Sequence, residues 1–263
     1  MKKLMIILFL LSLVLTTPAA VSAKSSTFKD VSPNKHSWAL DSIDFMTKKG
    51  IIKGYANGTF KPDSPVTKAE FITMFSQLFN KYITNADTPT RKFIDVPASH
   101  WAYSSTSKVL SEYTYSTYAI KKGKNYFYPD NKLNRIGVAN LLPFLYEEIR
   151  DNQEVYDILY AMKDIPKREY KDELLDDGRY NEEIDRTNKV FPLLFEGLEL
   201  SDDHSALVGT RLAGLQKYGI MTTNANDMFN PKQNITRAEA ATILHRLYLV
   251  LEADGKLKRY SSK

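Results

Sequence analysis

The chain has 263 residues, 43% of them hydrophobic and 25% charged, and no cysteine. This is the composition of a folded protein large enough for one large domain or several small ones. It excludes disulfides, thiolate catalysis, thiolate zinc sites and a lipid-modified cysteine at the N-terminus. The net charge is +5, and the +3 left without Lys2 and Lys3 is too weak to argue for a nucleic-acid partner.

Residues 1–23 read as a secretory signal peptide. Lys2 and Lys3 form the basic start, Leu4 to Leu15 an apolar run too short to span a bilayer comfortably, and Val21-Ser22-Ala23 a small-x-small cleavage site. Cleavage after Ala23 leaves 34 cations against 31 acids, a mature charge of +3.

The first unit spans 27–82 and opens with Phe28-Lys29-Asp30-Val31. Ala39, Ile43, Met46 and Gly50 are spaced as one face of a helix, and Gly50 suits the left-handed position that ends it. Phe60-Lys61-Pro62 then leads to Thr67-Lys68-Ala69-Glu70, a capping box stapled by Val66 and Phe71. Phe71, Met74, Phe75 and Leu78 continue the helical period.

The second unit spans 92–150. Phe93-Ile94-Asp95-Val96 opens it, Ala102, Thr106, Val109 and Tyr113 form the first helix face, and Phe127-Tyr128-Pro129 precedes Asn134-Arg135-Ile136-Gly137. Gly137 replaces the acidic residue of the box, so this helix start is expected to be the weakest, by about 1 kcal/mol. The third unit spans 158–251 and carries an inserted segment, 167–204. Its opening is either Met162-Lys163-Asp164-Ile165-Pro166 or the stretch from Leu200 to Ala206. Val208, Leu212, Leu215 and Gly219 form its first column, and Phe229-Asn230-Pro231 precedes Thr236-Arg237-Ala238-Glu239. Residues 252–263 form a basic tail, expected to fray.

Each unit therefore reads as helix, loop, capped helix, with little core of its own, so the units must stack. The fold expected is all-α. Trp38 and Trp101 precede the first helix column in units one and two, where Leu207 stands in unit three.

The phrases Phe28-Lys29-Asp30-Val31, His36-Ser37-Trp38-Ala39, Gly50-Ile51-Ile52-Lys53-Gly54-Tyr55, Asn57 to Pro62 and Val66 to Phe71 together resemble a bacterial S-layer homology domain. The second unit departs with Lys121 at the position of Gly54, and the third with Thr223. The resemblance implies three tandem domains in one pseudo-threefold unit around a central helical bundle. It further implies non-covalent anchoring to the cell wall through grooves between repeats. The expected partner is anionic secondary cell-wall polysaccharide, often pyruvylated, with S-layer or other wall proteins as further partners. The protein would be secreted to the cell surface and need no membrane once its signal is cleaved. The contacts implied are Lys68, Arg135 and Arg237, with Asp30, Asp95 and Asp164 and the aromatic residues Trp38 and Trp101.

A cation in the first turn of three helices opposes the helix dipole, and free N–H groups there attract anions. Together they suggest a carboxylate receptor, in which the Arg135 and Arg237 forks fit a planar acid better than the point charge of Lys68. Each feature has a plainer reading. The cations can be solvated surface residues, the aspartates turn caps, and the tryptophans gap-filling core, which is the commoner fate of a Trp at a helix start. Glu70 and Glu239 could pose as a glycosidase pair, but capping accounts for both. His36 and His100 sit at equivalent turns, and His204 and His245 join no constellation. No metal, cofactor or enzyme motif stands out. The alternative to an anchor is a wall-associated interaction platform, enzyme or regulator acting through 167–204.

Overall fold

The computed structural model describes residues 27–82, 92–110, 118–142, 145, 152–165 and 202–263; side chains of 152–153 and 202–207 are outside this description. The expected signal peptide, most of the insertion, Tyr113 and the Leu207 side chain fall outside it. The element order is α1 (Leu40–Lys48), α2 (Lys68–Leu78), α3 (Tyr103–Val109), β1 (Ala119–Lys121), β2 (Lys124–Tyr126), α4 (Arg135–Leu141), α5 (Asn152–Ala161), α6 (Asp202–Lys217), α7 (Arg237–Ala253) and α8 (Leu257–Tyr260). Helix α6 thus begins inside the segment assigned to the insertion.

The sequence signals explain where these helices begin and end. Thr67 and Thr236 accept from the N–H of Glu70 and Glu239, and each glutamate accepts the threonine N–H in return, at 2.7 Å. Asn134 accepts from Gly137 N at 2.8 Å without a reciprocal partner, and α4 spans only seven residues. A Cβ on Gly137 would lie 2.8 Å from both Asn134 Oδ1 and Leu133 Cδ1, so the missing side chain lets this shorter cap close. Gly50 and Gly219 take φ of +68° and +64°, and the residues after them donate back to Met46 and Leu215.

The predicted apolar columns form the core. Phe60, Phe71, Phe75, Phe127 and Phe229 are fully enclosed, along with the inward faces of α2, α4 and α7. Helix α1 packs on α7, α2 on α3 and α7, and α6 on α4 and α5.

The staple residues join the units. Val66 N donates to Ile235 O, Ile235 N to Leu133 O, and Leu133 N to Val66 O, at 2.8–3.0 Å, which closes a cycle. The helix starts repeat the pattern. Lys68 and Ala69 N–H groups donate to Asn131 and Pro129 carbonyls, Arg135 and Ile136 to Gln233 and Pro231, and Arg237 and Ala238 to Ser64 and Pro62.

Three features differ from the sequence reading. A β1–β2 hairpin turns at Lys122-Gly123, both with positive φ, in the second unit, where Lys121 stands at the position of Gly54. Helix α5 precedes the third opening and is tied to α6 by Glu154–Lys217 at 2.7 Å. The basic tail is docked rather than frayed: Ser261 is buried and donates to Leu78 O at 2.7 Å, Lys81 N donates to Tyr260 O, and Ser262 pairs with Asn80.

Candidate functional site

Asp30, Asp95 and Asp164 do one job three times. Each carboxylate accepts the two consecutive N–H groups of a Phe-x-Pro step: Phe60 and Lys61, Phe127 and Tyr128, Phe229 and Asn230, at 2.5–2.9 Å. The middle residues Lys61, Tyr128 and Asn230 have φ of +55° to +57°. Such backbone costs a non-glycine residue about 1–2 kcal/mol, which paired charge-assisted bonds offset. Asp164 makes the same brace as Asp30 and Asp95, so Met162–Ile165 stands where the opening phrases of the other two units stand.

The cations also act in a cycle. Lys68 Nζ donates to Phe127 O, Arg135 Nε to Phe229 O at 2.6 Å, and Arg237 Nε to Phe60 O at 2.9 Å. Each charge lies over the ring of the same phenylalanine, at 4.3, 4.6 and 5.0 Å respectively. The guanidiniums reach a second carbonyl, Thr222 O for Arg135 and Lys53 O for Arg237. Burial pushes Lys68 down to about 8, partly offset by Asp95. Burial likewise lowers Arg135, opposed by Glu239 and Asp164.

This corrects the expectation of a carboxylate receptor built on free helix N–H groups. The N–H groups of the first two residues of α2, α4 and α7 are taken by the neighbouring unit, and those of the third by the caps. The cations stand against the dipole because neighbouring carbonyls and aromatic faces hold them.

Trp38 and Trp101 are 50% and 59% exposed, so neither is the core plug expected of a Trp at a helix start. Trp38 instead forms one wall of a cleft of about 210 Å³. Glu239, Thr242, Ile243 and Arg246, one stripe of α7 at helical spacing, also line it. Arg135 and Thr222 complete the polar lining. The cleft offers an exposed indole, two guanidiniums, a carboxylate and hydroxyls, which is a set able to stack on a sugar ring and pair with an acidic substituent. Arg135 Nη1 lies 4.0 Å from Glu239 Oε1. Thus Trp38 and Arg135 share one cleft. Lys68 and Arg237 serve the cycle between units, and the three aspartates brace turns. Trp101 stacks on His100, with ring centroids 5.6 Å apart. Arg246 escaped the sequence reading, because only the assembled cleft gives it meaning. Among the described residues there is no metal-binding cluster, and no helix is long and apolar enough to cross a membrane.

Residues 27–72 and 211–241 match the S-layer homology domain. The chain is 28% identical over 225 residues to the S-layer protein sap of Bacillus anthracis, covering 85% of this chain and 21% of that protein. It is 27% identical over 229 residues to an S-layer protein of Bacillus thuringiensis subsp. finitimus, covering 87% and 22%. It is 30% identical over 78 residues to a cellulosome-anchoring protein of Acetivibrio thermocellus, covering 30% and 17%. The chain therefore spans about a fifth of the length of these S-layer relatives. The chain thus carries S-layer homology domain sequence over residues 27–72 and 211–241.

Proposed function

We propose that the three units act as one pseudo-threefold anchor that binds anionic secondary cell-wall polysaccharide, with an acidic, pyruvylated sugar seated in the Trp38 cleft. The observation that supports this most directly is that a half-exposed indole, Arg135 and Arg246 line one cleft of sugar-ring size. The indole supplies the apolar face, and the Arg246 and Arg135 guanidiniums supply the positive charge that distinguishes an acidic sugar from a neutral one. The cycle of bonds through Lys68, Arg135 and Arg237 supports the threefold reading, because each unit gives one cation and receives one.

The test is a pull-down of the mature protein with purified wall polysaccharide, before and after removal of its acidic substituents. Binding is expected with the intact glycan, to weaken with removal, and to fall roughly tenfold or more in Arg246→Ala. Equal binding of both glycans would exclude the acidic substituent as the ligand group.

A further inference from the structure

Trp38 lies in the single turn Ser37–Ala39, which Ala39 N closes by donating to His36 O at 2.9 Å. His36 itself is buried, and both of its ring nitrogens are used. Nδ1 accepts from Ser32 N at 3.0 Å. That leaves the ring proton on Nε2, which donates to Asp63 Oδ1 at 3.3 Å. Lys35 Nζ donates to the other carboxylate oxygen at 2.6 Å. The imidazole is thus a strut between the turn that carries Trp38 and the loop that follows Phe60-Lys61-Pro62.

Asp63 stands between the two carbonyls that hold the start of α7. Pro62 O accepts from Ala238 N at 3.0 Å, and Ser64 O from Arg237 N at 2.9 Å. Helix α7 in turn supplies Glu239, Thr242, Ile243 and Arg246 to the Trp38 cleft. The strut therefore links two parts of one lining that come from different units. Among the described residues, no such strut occurs in the other units. His100 Nδ1 accepts from Ala102 N within its own turn, at 3.1 Å, and Lys232 stands in the third unit where Asp63 stands in the first.

A half-exposed indole on a three-residue turn loses freedom when a ring stacks on it, and that loss opposes binding. A turn already fixed against the loop that holds α7 reduces the loss. Filling space would need only an apolar side chain at this position. An imidazole bonded at both nitrogens fixes direction as well as volume. We propose that His36 and Asp63 are positioning residues for glycan binding, which hold Trp38 in the orientation that meets the sugar. The inference rests on the acidic-glycan reading of the Trp38 cleft and adds the residues that prepare that cleft.

The test is a double-mutant cycle on the mature protein with purified acidic wall polysaccharide, read by calorimetry. His36→Asn keeps an acceptor for Ser32 N but is too short to reach Asp63. It should weaken binding roughly fivefold, as should Asp63→Ala, whereas Asp63→Asn keeps the acceptor and should stay within about twofold of wild type. In a Trp38→Ala background, His36→Asn should cause no further loss. An equal loss in both backgrounds, or no loss in either, overturns the positioning role. Asp63 is exposed, so Asp63→Ala should keep its fold, which circular dichroism checks. A second readout needs no ligand. In Trp101→Phe protein, where Trp38 is the remaining tryptophan, His36→Asn should lower the residual fluorescence anisotropy. Unchanged anisotropy also overturns the proposal. If Trp38→Ala binds as tightly as wild type, the acidic-glycan reading of the cleft falls instead, and the anisotropy decides the strut by itself.

Discussion

At Gly54 a Cβ would meet Phe28 Cε1 at 2.2 Å and Thr59 O at 3.0 Å. Gly54→Ala should therefore destabilise the chain by about 1–3 kcal/mol, read as a lower unfolding midpoint. No change would mean that the Phe28 ring moves away at no cost. Lys68 gives a sharper test. Its folded value near 8 lies below the ordinary lysine value, so the unfolded chain binds the extra proton between them. Stability should rise with pH from about 8 to 10.5, as the cost of burying the charge is relieved. Lys68→Met should remove that slope, and the Lys68 Cε resonance should titrate near 8. A midpoint near 10.5 would contradict the burial.

At the scale of elements, the local signals were legible: both capping boxes, the left-handed glycines and the apolar columns all lie within a few residues of sequence. The targets of the cations were not, because they lie 59, 94 and 177 residues away. Sequence could mark those positions as odd, and only the assembled units show why. The hairpin carries one local cue, Lys122-Gly123 between Ile120 and Tyr126, set in a chain that otherwise reads as helical. The tail reads as a polar terminus, yet one buried hydroxyl and a side-chain pair hold it. Arg237→Ala removes two charge-assisted bonds and leaves the Phe60 carbonyl without that donor, so a loss of about 2–3 kcal/mol is expected in denaturant unfolding. Ser261→Ala should cost about 1 kcal/mol. Values near zero for both would mean that the units hold together without these contacts.

Across the whole molecule, each unit braces its Phe-x-Pro turn with its own aspartate and lends that turn's carbonyls to another unit's helix start. The folding of one unit is thereby coupled to the presence of the others. The Trp38 cleft arises where these contacts leave a gap. Trp38 is half exposed and lines that cleft. In a Trp101→Phe protein it is the chain's remaining tryptophan, so its fluorescence reports on that cleft alone. Titration with purified acidic wall polysaccharide should shift its emission to shorter wavelength in a saturable way, and glycan stripped of its acidic substituents should not. Emission that stays unchanged while the protein still binds the wall would place the ligand elsewhere and contradict the account.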